Sequence, residues 1–247
     1  MDDRVGSYQR ARRKFSSIVY GVTLIWLLLA LIQWLVINLM QNDVETYLKY
    51  EWISLIFFFL SIILVFVFIF VEKSRFITGL SWIITILSVE FAIIGLFALV
   101  VKPMWPELLL WFAICVILLF ISVLLGAFIP HDLTLDIVVL FVVSFVFLIA
   151  SIFLIMLHLL TQTLYSYILF ELLVTSIILM FIMYHGQTIN GGRFAEMRIN
   201  DYLLGTVILF YDFIIIFLLS FYMQTHYQIV KHVAHPEEPL KINVKQN

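Results

Sequence analysis

Residues 184–212 read YHGQTINGGRFAEMRINDYLLGTVILFYD and join the last two hydrophobic segments of the chain. His185 closes one apolar run, and Asp212 lies inside the next. Glycine just past a helix end is a stop signal, so Gly186 predicts that the first of these helices ends at His185. The stretch therefore predicts two helices joined by a glycine-rich, charged linker, with one titratable residue on each helix.

The composition is that of a membrane protein. Of the 247 residues 64% are hydrophobic and only 12% are charged, and the mean hydropathy is +1.12. A soluble domain carries about a quarter charged residues, so we predict that nearly the whole chain lies in a lipid bilayer. The net charge of −2, without a strongly basic region, argues against nucleic acid as a partner.

Seven apolar segments are long enough to cross the hydrocarbon core, which takes about 20 helical residues. Backbone groups in lipid must be satisfied within the chain, so these segments are predicted helices, and the alternating pattern of a β-barrel is absent. We predict an all-α integral membrane protein with a basic N-terminus at 1–16, a seven-helix domain at 17–223 and a polar tail at 224–247. The segments are 17–40, 52–71, 77–101, 107–129, 135–159, 163–184 and 202–223.

The distribution of Lys and Arg predicts that the N-terminus is cytosolic. With that orientation the inner side holds nine of these residues and the outer loops hold only Lys49 and Lys102, as the positive-inside rule requires. Seven full crossings place the C-terminal tail outside, although it contains three lysines. A re-entrant last segment would return the tail to the cytosol, and the sequence leaves both arrangements open.

Three acidic residues lie well inside the apolar segments, away from the segment ends: Glu90, Glu171 and Asp212. Charged side chains at such depth are costly and usually face a bundle interior or a water path. Glu90 and Glu171 can line a pathway or form structural hydrogen bonds. At 1.5 Å per residue Glu171 lies about 20 Å along the helix from His185, so we do not expect the two to meet. An imidazole next to Asp212 would make a pair that can titrate near neutral pH.

Several of these residues resemble the transmembrane Bax inhibitor motif family, in particular its Lifeguard-like branch. The sixth segment of that family ends in Tyr-Asp-Thr-Gln-Leu, and residues 184–188 are YHGQT. Family members then have Ser-Pro-Glu-Glu-Tyr before the last segment, where residues 198–202 are RINDY. They place Leu-Tyr-X-Asp-Ile about ten residues later, where residues 209–213 are LFYDF.

Two upstream stretches extend the resemblance over the whole chain. Residues 12–15 (RRKF) are similar to the basic start of the first family segment, and residues 132–134 (DLT) to an Asp-Phe-Thr before the fifth. The resemblance implies a bundle of six helices around a central last helix. It also implies residence in the endoplasmic reticulum or Golgi, with the plasma membrane as an alternative.

The resemblance further implies a pH-sensitive calcium leak and suppression of cell death, with calcium as the permeant ion rather than a cofactor. In the family, two aspartates share a proton and gate the pathway; Asp212 matches one, and His185 stands in place of the other. Because calcium prefers oxygen ligands, this exchange weakens the predicted calcium contact, which then depends on Asp212. Lys73 and Arg75 lie where the family has a basic residue that can pair with the gate, and Asp201 lies in the altered start of the last helix.

Two functional hypotheses remain after this comparison. The first is a calcium-permeable pathway gated by His185 and Asp212. The second is a non-conducting membrane protein that modulates apoptosis or receptor signalling by binding apoptosis-related membrane proteins. An enzyme is not predicted, because the chain has no metal-ligand motif, no paired catalytic aspartates and no serine with a plausible base.

Overall fold

The fold was analysed in a computed structural model, which describes residues 2–40, 49, 51–161 and 164–234, with side chains from residue 6 to residue 221 except at 41–48, 50 and 162–164. In this part of the chain all regular secondary structure is helical, and there are no strands. The helices are α1 (Asp2–Leu39), α2 (Glu51–Phe70), α3 (Glu72–Phe76), α4 (Thr78–Gly95), α5 (Phe97–Val100), α6 (Trp105–Phe128), α7 (Ile137–Thr161), α8 (Leu164–Asn190) and α9 (Tyr202–Ala234).

Seven helical stretches are long and apolar enough to cross a membrane, and they match the seven predicted segments in order. The chain is therefore an all-α, multi-pass membrane protein that contacts the lipid bilayer. Successive spans run in opposite directions, so residues 71–77, 129–136 and 191–201 lie at one end of the bundle. We call this the linker end, after the linker formed by residues 191–201, and we call the opposite end the far end.

The last helix lies at the centre of the bundle. In its most apolar 18-residue window 61% of the residues are buried, against 11% for α2 and for α7. Lipid surrounds the bundle, so the peripheral helices expose apolar side chains to it, and only a helix enclosed by others is buried in protein. The position of α9 agrees with the expected bundle around a central last helix.

Two predicted helix boundaries are wrong. The first helix was predicted from residue 17, but α1 begins at Asp2 and continues without a break through the polar N-terminus into the first span. Helix α8 does not end at His185 but continues through Gly186 to Asn190, and the chain turns at Gly191 and Gly192, which have φ of +74° and +75°.

Gly186 has a packing role instead of a capping role. A Cβ atom added to it would lie 2.7 Å from the carbonyl oxygen of Val123 on α6, and one added to Gly126 of α6 would collide with the backbone of Met183 on α8. The two glycines therefore let the backbones of α6 and α8 touch at two successive positions, as small residues commonly do between membrane helices. This contact positions the end of α8 that carries His185.

Helix α9 is continuous over 33 residues, which corresponds to about 50 Å at 1.5 Å per residue. That length is enough for a complete crossing. The described part of the last segment is therefore one continuous helix and does not turn back, as a re-entrant segment would. The predicted polar tail at 224–247 begins within this helix, and residues 235–247 lie outside the described residues.

A titratable pair between the last two spans

His185 and Asp212 are in direct contact between α8 and α9. The Nδ1 atom of His185 lies 2.7 Å from Oδ2 of Asp212, and the two side chains are 22% and 9% exposed. An ionised carboxylate can only accept a hydrogen bond, so Nδ1 of His185 donates to it when Asp212 is charged. The pair can therefore exist as a neutral imidazole beside a carboxylate, or as an ion pair after the imidazole binds a proton.

Local contacts fix the backbones of α8 and α9 close to the pair. The Thr188 hydroxyl donates to the carbonyl of His185 at 2.9 Å, one turn later on α8. On α9, a Cβ atom added to Gly205 would approach Val19 of α1 to 3.2 Å, so the two helices pack closely there. This close approach of α1 to α9 lies about two helical turns before Asp212.

An aromatic cluster lies on the far side of Asp212. It consists of Trp34 on α1, Phe112 on α6, and Phe213 and Phe217 on α9. The ring centroids of Trp34 and Phe217 are 4.8 Å apart and those of Phe112 and Phe213 are 4.9 Å apart, which is the spacing of rings in contact. All four side chains are 5% exposed or less, so they fill the space between Asp212 and the far end of the bundle.

The linker follows the end of α8 that carries His185, and Arg12 of α1 binds to both. Arg12 is only 5% exposed, and its guanidinium donates to the carbonyl oxygens of Thr188 and Met197. It also lies 3.9 Å from a carboxylate oxygen of Glu196 and 5.0 Å from the centre of the Phe15 ring. One side chain from α1 thus ties the end of α8 to the linker.

Sequence analysis did not single out Arg12 from the basic N-terminus. A signal for it exists, because Arg12, Phe15 and Val19 follow helical spacing and share one buried face of α1. This spacing has meaning only if residues 12–16 are helical, and α1 does extend back to Asp2. The predicted first segment began at residue 17, so it did not include Arg12 or Phe15.

Arg75 pairs with Asp201 and not with Asp212. Nη1 of Arg75 lies 3.1 Å from Oδ2 of Asp201, and both side chains are largely buried. Asp201 immediately precedes α9, so this ion pair joins the start of the central helix to the α2–α4 connection. Lys73, the other predicted candidate, is exposed. A further ion pair between Arg198 and Glu72 joins the linker to the same connection.

The linker is also bound to the loop that precedes α7. The carboxylate of Asp132 accepts hydrogen bonds from the Thr134 hydroxyl at 2.6 Å and from the backbone N–H of Phe194 at 2.9 Å. The bond from Thr134 and the backbone N–H groups lower the pKa of Asp132, since they favour its charged form. Arg193 adds bonds to the carbonyls of Ile129 and Pro130.

The pKa of Glu196 in the linker is also lowered, which favours its charged form. Partial burial by itself raises its pKa, but hydrogen bonds from Tyr8 and from the Gly192 N–H, together with the nearby Arg12, outweigh that effect and lower the pKa overall. The linker is therefore held by charged groups on α1 and in two other connections.

The other two acids in the membrane lie apart from the pair. Glu90 on α4 accepts hydrogen bonds from Nε2 of Gln33 on α1, at 3.0 and 3.2 Å. Glu171 on α8 is 4% exposed and lies near Tyr167 on the same helix. Glu90 thus has a partner that suits a structural hydrogen bond, and Glu171 is remote from His185 along α8.

In the described part of the chain, no three His, Cys, Asp or Glu side chains come together where they could hold a metal ion. Asp212 offers one carboxylate beside an imidazole, which suits proton exchange and transient cation contact better than a resident metal. No family model, no curated protein and no solved structure matches this chain.

Proposed function

We propose that this membrane protein is a proton-regulated cation pathway of the Bax inhibitor motif type, with calcium as the permeant ion and the His185–Asp212 pair as its gate. The observation that carries the proposal is the 2.7 Å contact between a buried carboxylate and an imidazole on the two helices that the linker joins. As the resemblance implies, we assign the protein to endoplasmic reticulum or Golgi membranes and to the suppression of cell death, with a cytosolic linker end.

The chemistry of the pair gives the direction of the pH response. When His185 is neutral, Asp212 presents a net negative charge that attracts a cation. When His185 binds a proton, the pair becomes neutral overall and the imidazolium repels calcium. Conduction therefore falls as the pH is lowered through the titration of His185.

The surroundings of the pair correspond to a closed pathway. The aromatic cluster lies on one side of Asp212 and the linker lies on the other. An open pathway then requires the aromatic cluster to repack and the linker to separate from α1, and the Arg12 contacts oppose the second change. Low resting conduction is the behaviour expected of a leak.

Calcium flux into liposomes that contain the purified protein tests this function. Asp212→Asn keeps the shape of the side chain and removes its charge, so we expect at least a tenfold loss of flux at neutral pH. His185→Asp restores the second carboxylate of the family and is expected to move the pH response. Wild-type protein that conducts no calcium at any pH would disprove the proposal.

The exposed pair of His131 and Asp136 supplies the matched control. Its Nε2–Oδ2 distance is also 2.7 Å, but the side chains are 65% and 45% exposed and lie in the loop before α7. His131→Asp and Asp136→Asn make the same chemical changes outside the bundle. We expect both control variants to conduct like the wild type.

One observation favours the alternative of a non-conducting interaction protein. The aromatic cluster fills the centre of the bundle with four large rings at contact distance. If that packing is permanent, the His185–Asp212 pair serves as a structural hydrogen bond and the exposed surfaces bind apoptosis-related membrane proteins. This alternative predicts that Asp212→Asn leaves protection from cell death unchanged, whereas a gating role predicts that protection is lost.

A further inference from the structure

The far half of the bundle contains a second group of buried titratable side chains. Glu171 and Tyr167 lie one turn apart on α8, and His158 lies on α7, with 5.3 Å between the ring centres of His158 and Tyr167. The three side chains are 4%, 3% and 8% exposed. They lie about ten residues or fewer from the ends of their helices at the far end.

Among the buried acids, Glu171 has the fewest described neighbours that could stabilise a negative charge. Its Oε1 atom is buried and has no hydrogen-bond partner among the described residues. None of the described ion pairs includes it, although Asp201 and Asp212 each have a basic partner and Glu90 has Gln33. A carboxylate removed from water without a cation or a full set of donors is strongly disfavoured relative to the neutral acid.

The titratable groups on the helices around α8 do not supply this missing charge. Cys115 of α6 contacts Ser220 of α9, and Asp212 of α9 contacts His185. His158 of α7 and Tyr167 of α8 itself are the titratable side chains grouped with Glu171. Both can exchange hydrogen bonds with a neutral carboxyl group, and neither carries a permanent positive charge.

We propose that Glu171, with Tyr167 and His158, forms a second proton-binding site, in the far half of the membrane. The proton is bound at neutral pH and is released to water at the far end when the pH rises. Helix α8 then carries one protonation site towards each end, Glu171 and His185, separated by about 21 Å along the helix axis. This inference depends on burial and on hydrogen bonding, and it stands whether or not the bundle conducts calcium.

Infrared difference spectroscopy on the intact protein in lipid nanodiscs tests the site directly. A protonated carboxyl group has a C=O stretching band well separated from the bands of a carboxylate, and the band shifts in heavy water. We expect a protonated-carboxyl band at neutral pH that Glu171→Gln removes and that disappears reversibly in alkaline buffer. Tyr167→Phe is expected to shift this band, because it removes a polar hydroxyl one helical turn from the acid.

Glu107→Gln is the matched control, since Glu107 lies at the far end of α6 and is partly exposed. It should leave the protonated-carboxyl band unchanged. Two results would overturn the proposal: a neutral-pH spectrum that Glu171→Gln does not alter, or a Glu171 band that persists at every pH at which the protein stays folded. The first would mean that Glu171 is ionised at neutral pH, and the second that Glu171 does not release its proton when the pH rises.

Discussion

Replacing the members of the His185–Asp212 pair with leucine, singly and together, should reveal a strong and asymmetric coupling. His185→Leu leaves the Asp212 carboxylate 9% exposed and without the imidazole that lies 2.7 Å from it. Removing one partner of a buried charge pair typically costs about 3–5 kcal/mol. Asp212→Leu leaves an imidazole that can remain neutral, so its cost is closer to that of an unsatisfied polar group, about 1–3 kcal/mol.

The double variant replaces both partners with apolar side chains, and such replacements of buried pairs are often nearly neutral. We therefore expect it to be more stable than His185→Leu alone and to show a coupling free energy of about 2 kcal/mol or more. The assay is reversible unfolding in mixed detergent micelles at neutral pH, followed by circular dichroism of the helical signal.

His131 and Asp136 again provide the control cycle, because the two atoms are equally close but exposed. Exposed ion pairs contribute about 0–1 kcal/mol, so this cycle should be close to additive. Additive effects at both pairs, or an Asp212→Leu variant less stable than His185→Leu, would refute the assignment of a buried, charge-coupled pair between α8 and α9.

Three further predictions concern the linker end. Gly191→Ala should lower stability by at least about 1 kcal/mol in the same unfolding assay, because φ of +74° disfavours a side chain and its Cβ would collide with Arg12. Arg75→Ala should cost about 3 kcal/mol, and Asp201→Asn combined with it should recover part of that loss, which a double-mutant cycle would measure. Asp132→Asn should reduce thermal stability at neutral pH but not in strong acid. Because the pKa of Asp132 is lowered in the folded protein, its charged form stabilises the fold at pH values above the ordinary Asp pKa of about 3.9. This stabilisation is lost as the pH falls through the lowered pKa. Thermal melts of both proteins across that pH range would test this.

The sequence predicted the seven spans well because each depends on a local property, the hydropathy of about 20 successive residues. The boundaries of α1 and α8 were predicted poorly for the opposite reason. Polar residues at the start of α1 form helix because Arg12 contacts the linker, and Gly186 continues α8 because α6 packs against it. A stop signal and a packing glycine look alike until the partner helix is known.

In the candidate site, too, local features were predicted from the sequence and contacts between distant residues were not. His185 and Asp212 were recognised because a titratable residue in or beside an apolar run is conspicuous, and the resemblance linked them across the linker. The partner of Arg75 could not be predicted, since Arg75 and Asp201 are separated by more than a hundred residues and meet only at the linker end. Arg12 was missed because its burial depends on residues 188–197, the nearest of which is 176 residues away in the chain.

By itself the sequence determined the class of this protein: an all-helical membrane protein with few acids inside the spans, each visible against an apolar background. Hydropathy is additive along the chain, so local composition is enough for that conclusion. Only the tertiary structure decided which polar groups are partners, that α9 is central, and that none of the ion pairs among the described residues includes Glu171. These properties depend on contacts between helices, and the free energy of a buried charge is set by the few groups within hydrogen-bonding distance of it.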